Sequence, residues 1–186
     1  MQEAKINRDL ARLMAGNARY IGKRSTIGDI SGRLRLQTAK EGQRPFAVIL
    51  TCSDSRVIPE AIFQCGIGDL FVIRVAGNVV DDHQLGSVEY AVGHLGTGLV
   101  MVLGHTQCGA VAAAIHREAE GCIRTITDEI CAAIGDETDP DLACCLNVKR
   151  SVERIENSLH TEPDGPNGVT LVGAVYDIRS GAVRLI

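Results

Sequence analysis

The sequence predicts an α/β fold: a mostly parallel central β-sheet flanked by helices, with an N-terminal amphipathic helix and a C-terminal strand hairpin. Three apolar runs, at residues 46–51, 70–75 and 99–103, have the continuous character of strands that are buried on both faces. Segments of helical composition occupy residues 84–95 and 110–119. Strands that alternate with helices of this length indicate βαβ units, and therefore a parallel sheet.

A chain of 186 residues suits one domain. We expect residues 1–45 to form an N-terminal helical arm and residues 46–186 to form the α/β core. Apolar residues near one helical face, with charged residues between them, predict an amphipathic helix over about residues 5–22. These apolar residues are Ile6, Leu10, Leu13, Met14 and Ile21. Residues 25–45 are rich in Gly, Arg and Ser, which indicates a loop or a short broken helix.

The C-terminal third contains one more helical pattern and then two strand patterns. The apolar positions of the helical pattern are Leu142, Cys145, Leu146, Val152, Ile155 and Leu159. Pro and Gly residues mark a loop at residues 161–168. The runs at 169–176 and 182–186, joined through residues 179–181, predict a closing hairpin.

Charge and apolar patterning exclude two classes of partner. The formal net charge is −4, and Lys and Arg are scattered, so we expect no nucleic-acid partner and no anionic membrane surface. The longest apolar stretches, at 99–103 and 110–115, are far shorter than the roughly 20 residues that cross a bilayer. The charged N-terminal turns lack the apolar region of a secretory signal. With these partners excluded, we expect a small-molecule substrate.

Cysteine is abundant, with seven residues in the chain. The number is odd, and Cys144 adjoins Cys145, so a disulfide framework is a poor explanation in a chain of this size. We expect a soluble protein of the reducing cytoplasm. There, thiols serve as metal ligands or as small buried apolar groups.

Two short motifs suggest metal chemistry: CSDSR at residues 52–56 and HTQC at residues 105–108. Cys52, His105 and Cys108 are three ligands of the kind that a catalytic Zn²⁺ takes while a fourth position stays open. Each motif follows a predicted buried strand, and parallel strands place ligands at their carboxyl ends. Gly104 and Gly109 would give the second motif backbone freedom.

Asp54 and Arg56 lie close to the first predicted ligand in sequence. An aspartate near Zn²⁺ either ligates the ion or accepts a hydrogen bond from bound water. A bidentate contact with Arg56 would keep Asp54 ionised and decide between these roles. The alternative is a surface ion pair with a helix N-cap before Pro59.

Together these motifs resemble the β-class carbonic anhydrase family, and the resemblance extends over nearly the whole chain. The other matching segments are LMAGNARY (13–20), QRPF (43–46), GDLFVIRVAGN (68–78), GSVEYA (86–91) and GAVYD (173–177). The resemblance implies reversible hydration of carbon dioxide to bicarbonate and a proton, with Zn²⁺ as cofactor. It also implies a homodimer or a dimer of dimers, because the family builds part of its pocket across a dimer interface.

The resemblance assigns roles to particular residues. Cys52, His105 and Cys108 would be the zinc ligands and Asp54 with Arg56 the catalytic dyad. In a closed state known for some members, Asp54 would leave Arg56 and take the fourth zinc position. The residues that match the carbon dioxide pocket are Gln43, Phe71, Tyr90 and Gly109. Without the resemblance, the two aromatic residues would be assigned to the core.

One departure concerns regulation. Some members use a Trp, an Arg and a Tyr for a separate bicarbonate pocket. Arg74 and Tyr176 match the last two, but Ile49 stands at the position of the Trp, and the chain contains no Trp. Bicarbonate inhibition at that pocket is therefore not expected.

Two other functions remain open from the sequence. Some relatives of the family hydrolyse carbon disulfide or carbonyl sulfide with the same ligands. The second alternative is a structural zinc protein without turnover, which would need a fourth protein ligand.

Overall fold

The computed structural model of the chain describes residues 2–22, 27–159 and 168–186. Its strands are β1 (Ala47–Thr51), β2 (Leu70–Arg74), β3 (Leu99–His105), β4 (Thr170–Tyr176) and β5 (Val183–Leu185). Its α-helices are α1 (Gln2–Ile21), α2 (Gly32–Glu41), α3 (Pro59–Ile62), α4 (Asp82–Gly93), α5 (Gly109–His116), α6 (Ile123–Ile134) and α7 (Pro140–Leu159). The predicted loop at 161–168 falls almost wholly outside the described residues.

The strands form one sheet in the order β2-β1-β3-β4-β5. The first four strands are parallel, and β5 runs antiparallel to β4. The predicted α/β class, the mostly parallel sheet and the C-terminal hairpin are thus confirmed. Thr51, the last residue of β1, pairs with Leu103, and His105, the last residue of β3, pairs with Tyr176. Residues that follow β1 and β3 therefore emerge side by side at one edge.

Layers of apolar side chains cover both faces of the sheet. Every residue of β1 and β3 is buried, as their continuous apolar sequences require. Because side chains alternate along a strand, Ile49 packs with Leu13 of α1 and Phe63 on one face. On the other face Leu50 packs with Val148 of α7 and other residues of that helix and of α4. The central strands are consequently held from both sides.

Two helices differ from the prediction. In the segment expected to be a loop or a broken helix, α2 is continuous, because the Ser31 hydroxyl caps its first turn by accepting from the N–H of Leu34 (3.2 Å). Helix α6 was not predicted, and it buries the side chains of Thr127, Ile130 and Ile134 in the core.

The end of α5 also differs. This helix ends at His116 and not near residue 119, because Arg117 adopts a left-handed conformation (φ 54°).

Within the described residues, every helix is too short or too polar to cross a membrane.

Candidate metal centre

The loop that carries Cys52 is fixed by the ends of two neighbouring strands. The Thr51 hydroxyl donates to the carbonyl of Leu103 (2.7 Å), which joins the ends of β1 and β3. The N–H of Ser53 donates to the carbonyl of Val75 just beyond β2 (3.2 Å). The backbone on both sides of Cys52 is therefore tied to the sheet.

The turn from His105 to Cys108 joins β3 to α5. Its left-handed residue is Gln107 (φ 58°), and neither Gly104 nor Gly109 has a positive φ. The predicted role of these two glycines in turn freedom is thus wrong. Gly104 is instead required by close packing, since a Cβ there would lie 2.5 Å from Cγ2 of Val148.

Three candidate ligand atoms converge in a buried cluster. The sulfurs of Cys52 and Cys108 and a ring nitrogen of His105 lie within 4.8 Å of one another. Nδ1 of His105 is 2.9 Å from the carbonyl of Thr106, whereas Nε2 is buried without a hydrogen-bond partner among the described residues. A backbone acceptor at Nδ1 fixes the tautomer that leaves Nε2 with a lone pair. The cluster therefore fits a borderline-soft ion such as Zn²⁺.

The thiols in this cluster are electrostatically unequal. The Cys108 thiol donates to the Cys52 sulfur and, against the opposing effect of burial, lowers the pKa of Cys52 to about 4. The N–H groups of Asp54 (3.4 Å) and Gly77 (3.3 Å) also donate to this sulfur and lower the pKa of Cys52 further. The pKa of Cys108 is raised correspondingly, because it shares its proton with Cys52 and is buried. A divalent cation would favour the thiolate form of both residues.

Asp54 faces Arg56 through a bidentate ion pair. The guanidinium donates to Oδ2 at 2.7 Å and to Oδ1 at 2.9 Å. The pair holds the pKa of Asp54 well below its usual range. Oδ2 of Asp54 also lies 3.9 Å from Nε2 of His105, so the carboxylate borders the ligand cluster. The alternative N-cap role is wrong, because Ile58 is the N-cap of α3 and no side chain caps it.

Arg74 has a role that was not predicted from the sequence. Its guanidinium donates to the carbonyls of Cys52 (3.1 Å) and Asp54 (2.7 Å), so it fixes the loop that carries the first ligand. The Tyr176 hydroxyl lies 3.2 Å from the Tyr20 hydroxyl. Both residues that match the family's bicarbonate pocket therefore have contacts within this chain.

The four predicted pocket residues are not all near the cluster. Gly109 follows Cys108 directly, and both border a cleft of about 540 Å³. Phe71 pairs with Val48, four residues before Cys52, or roughly 13 Å away along the strand direction. Its ring lies 6.2 Å from that of Tyr90, which is 47% exposed. Gln43 is exposed as well.

The fold and the cluster define an α/β protein with a buried Cys-His-Cys group that can hold a metal beside an Arg-paired carboxylate. A sequence model of the carbonic anhydrases matches residues 47–183. The chain belongs to the β-carbonic anhydrase family. Carbonic anhydrase is accordingly its enzyme class.

Individual relatives agree with this assignment. The carbonic anhydrase of Mycolicibacterium smegmatis is 41% identical over 185 residues, which cover 93% of this chain and 89% of that protein. Carbonic anhydrase 2 of Mycobacterium tuberculosis is 47% identical over 111 residues, or 60% of this chain and 53% of that protein. The β-carbonic anhydrase CafA of Aspergillus fumigatus superposes with a TM-score of 0.68 at 26% identity, covering 83% of this chain and 81% of that one. For a tetrameric β-carbonic anhydrase of Sordaria macrospora, the TM-score is 0.70 at 24% identity over 83% and 87% of the chains, a likeness of fold.

Proposed function

We propose that the chain catalyses the reversible hydration of carbon dioxide to bicarbonate and a proton, with Zn²⁺ held by Cys52, His105 and Cys108. The observation that carries the proposal is the buried Nε2 of His105, which has no hydrogen-bond partner among the described residues and lies beside two thiols. Three protein ligands are typical of catalytic zinc, whereas structural sites have four. Since Asp54 is paired with Arg56, the fourth position is left for water, which argues against a structural zinc protein.

When bound, Zn²⁺ would lower the pKa of a water molecule and so provide hydroxide near neutral pH. The residues of the chain orient the reaction. Asp54, kept ionised by Arg56, accepts the hydrogen of the nucleophile and turns its lone pair toward the carbon of carbon dioxide. Arg56 also donates to the carbonyl of Gln107 (3.2 Å), so the dyad spans both ligand-bearing segments. Removal of Arg56 would free Asp54 to turn toward the metal and close the site.

The substrate pocket is proposed to include Gly109 together with Gln43, which precedes β1, Phe71 on the edge strand β2, and Tyr90 on α4. Phe71 lies roughly 13 Å from Cys52 along the strand direction. We therefore propose that Gln43, Phe71 and Tyr90 contribute to the pocket of a neighbouring subunit. Helix α2, all of whose residues are described, has none buried in its own chain, and Leu36 on it is 71% exposed. A ten-residue helix is marginal in water unless it packs against something. We therefore propose a homodimer or a dimer of dimers; the Sordaria macrospora relatives are tetrameric.

We further propose that residues 1–186 act as one catalytic domain in the cytoplasm. All seven cysteines are free, which agrees with a reducing compartment.

The purified zinc protein should be assayed in parallel with carbon dioxide, carbon disulfide and carbonyl sulfide. We expect hydration of carbon dioxide to be far faster than hydrolysis of either sulfur compound. Efficient hydrolysis of the sulfur compounds without carbon dioxide hydration would replace the proposed substrate while leaving the metal centre intact.

A further inference from the structure

We propose that the buried face of α7 is a positioning element for the metal centre, in which Asn147 and Ser151 fix the turn that donates to Cys52 and Cys144 fixes the backbone of His105. The proposal rests on the zinc site of the proposed function. It concerns residues that contact neither the substrate nor the ion and act through the ligands.

The face is defined by helical periodicity. Cys144, Asn147, Val148 and Ser151 occupy positions i, i+3, i+4 and i+7 of the helix, and all four are at most 4% exposed. Residues at such intervals lie on one side of a helix. Three of these four buried side chains are hydrogen-bond donors, although an apolar face would pack against the sheet equally well.

The first contact supports Cys52. The side-chain amide of Asn147 donates to the carbonyl of Gly77 (2.7 Å), and the Ser151 hydroxyl lies 3.0 Å from the carbonyl of Asn78. The N–H of Gly77 in turn donates to the sulfur of Cys52 (3.3 Å). The helix thus reaches the ligand through one intervening residue of the 76–78 turn.

This turn needs outside support to keep its shape. Gly77 (φ 69°) and Asn78 (φ 46°) both lie in the left-handed region, which Gly adopts freely and which costs free energy even for Asn, the most tolerant of the other residues. A Cβ on Gly77 would lie 2.7 Å from Cδ1 of Ile130 in α6. The turn therefore packs against α6 on one side and is hydrogen-bonded to Asn147 on the other. The direction of the Gly77 N–H depends on both contacts.

The second contact supports His105. The Cys144 thiol donates to the carbonyl of His105 (3.3 Å), and Val148 packs against Gly104 in the same strand. One helical face therefore contacts the backbone of one proposed ligand, His105, and the turn that donates to another, Cys52. Groups that orient metal ligands commonly contribute 10- to 100-fold to metal affinity.

The test compares Asn147→Ala with Asn17→Ala, a matched control. Asn17 is also buried and also anchors a turn, since its amide donates to the carbonyl of Gly181 (2.8 Å), but the anchored turn carries no ligand. Zinc affinity is measured by competition with a chelator. The sulfur-to-cobalt absorption of the Co²⁺ form reports the Cys52 bond, and denaturation of the metal-free proteins reports stability.

We expect Asn147→Ala to weaken zinc binding about 10- to 100-fold and to shift the cobalt absorption. Asn17→Ala should lower stability while leaving affinity and spectrum unchanged. Wild-type affinity and spectrum in folded Asn147→Ala would overturn the proposal, as would equal losses of affinity in both variants. If the wild-type chain bound no zinc at all, the proposed function itself would fail, which distinguishes the two failures.

A milder variant covers the case in which Asn147→Ala does not fold. Ser151→Ala removes the hydroxyl that lies 3.0 Å from the carbonyls of both Asn78 and Asn147, and it keeps the side chain of Asn147 in place. We expect a smaller loss of zinc affinity with the same direction of spectral shift. A Ser151→Ala protein that is folded and indistinguishable from wild type by both measurements would contradict the proposal.

Discussion

At the scale of single residues, the metal centre depends on the thiolate form of Cys52 and on the ion pair between Asp54 and Arg56. Cys52 is stabilised as a thiolate by the Cys108 thiol and by the backbone N–H groups of Asp54 and Gly77. Asp54 is an acceptor held in place by Arg56 and borders the same cluster. Ligation and orientation are therefore assigned to different residues, and substitutions should separate them.

Replacing Cys108 tests ligation. Cys108→Ser substitutes a poor zinc ligand for a thiolate and weakens the donor to Cys52. We expect the variant to lose both bound zinc and carbon dioxide hydration, as measured by metal analysis and stopped-flow assay. Cys122→Ser, at an exposed thiol, is the matched control and should keep its zinc. Full zinc content in Cys108→Ser would remove Cys108 from the ligand set.

Replacing Asp54 tests orientation. Asp54→Ala leaves the three ligands in place, so zinc should remain bound while hydration falls by about 10²-fold or more. Asp69→Ala is the control, because Asp69 is also paired with an arginine, Arg12, but lies elsewhere. Retention of activity in Asp54→Ala would show that the carboxylate does not orient the nucleophile.

At the scale of elements, the site is formed where β1 and β3 end and α5 begins, and it is backed by α7. Continuous apolar sequence was enough to predict β1, β2 and β3. It also predicted that the CSDSR and HTQC motifs lie at the carboxyl ends of parallel strands; that β1 and β3 are neighbours is a finding of the structure. The contact between Asn147 and Gly77 could not be predicted, because 70 residues separate the partners and no local pattern marks a long-range hydrogen bond.

The misinterpretations of helix α2 and of Gly104 have different causes. Helix α2 was not predicted as a continuous helix because its surroundings are rich in Gly, Arg and Ser. The Ser31 cap that begins it is also not followed by an apolar run. Gly104 was interpreted as a turn residue, although its small size matters because α7 packs directly against it. Sequence shows that a glycine is present, but the reason for it lies in an element some forty residues away.

The packing of α7 on β3 gives a stability prediction. Gly104→Ala would place a Cβ 2.5 Å from Cγ2 of Val148, and we expect the free energy of unfolding to fall by about 1–3 kcal/mol. Gly86→Ala, where a Cβ meets nothing within 4 Å, should leave stability unchanged or slightly raised. Combining Gly104→Ala with Val148→Ala should recover part of the loss. Denaturant titration measures all three, and equal stability of Gly104→Ala and wild type would refute the close packing.

At the scale of the whole molecule, the candidate ligand atoms converge in one cluster, whereas most of the proposed pocket residues lie elsewhere. Gly109 adjoins the cluster, whereas Phe71 on the edge strand β2 and Tyr90 on α4 form a partly exposed aromatic pair. Helix α2 adds exposed apolar surface immediately before Gln43. These features are consistent with assembly from copies of the chain.

Assembly is tested by changing the exposed surface of α2. Leu36→Glu should shift the protein toward smaller species in sedimentation experiments, because it replaces apolar contact area with a charge. Lys40→Glu, on the same helix, alters charge without removing apolar surface and should leave the assembly intact. A monomeric wild-type protein with full activity would contradict the shared pocket.

The central claim is that the bound metal is catalytic. It is tested most directly by stopped-flow measurement of carbon dioxide hydration together with zinc analysis of the same sample. We expect about one zinc per chain and a rate far above that of buffer, which is lost when the metal is removed and regained when zinc is restored. Stoichiometric zinc with no rate above buffer would contradict the claim.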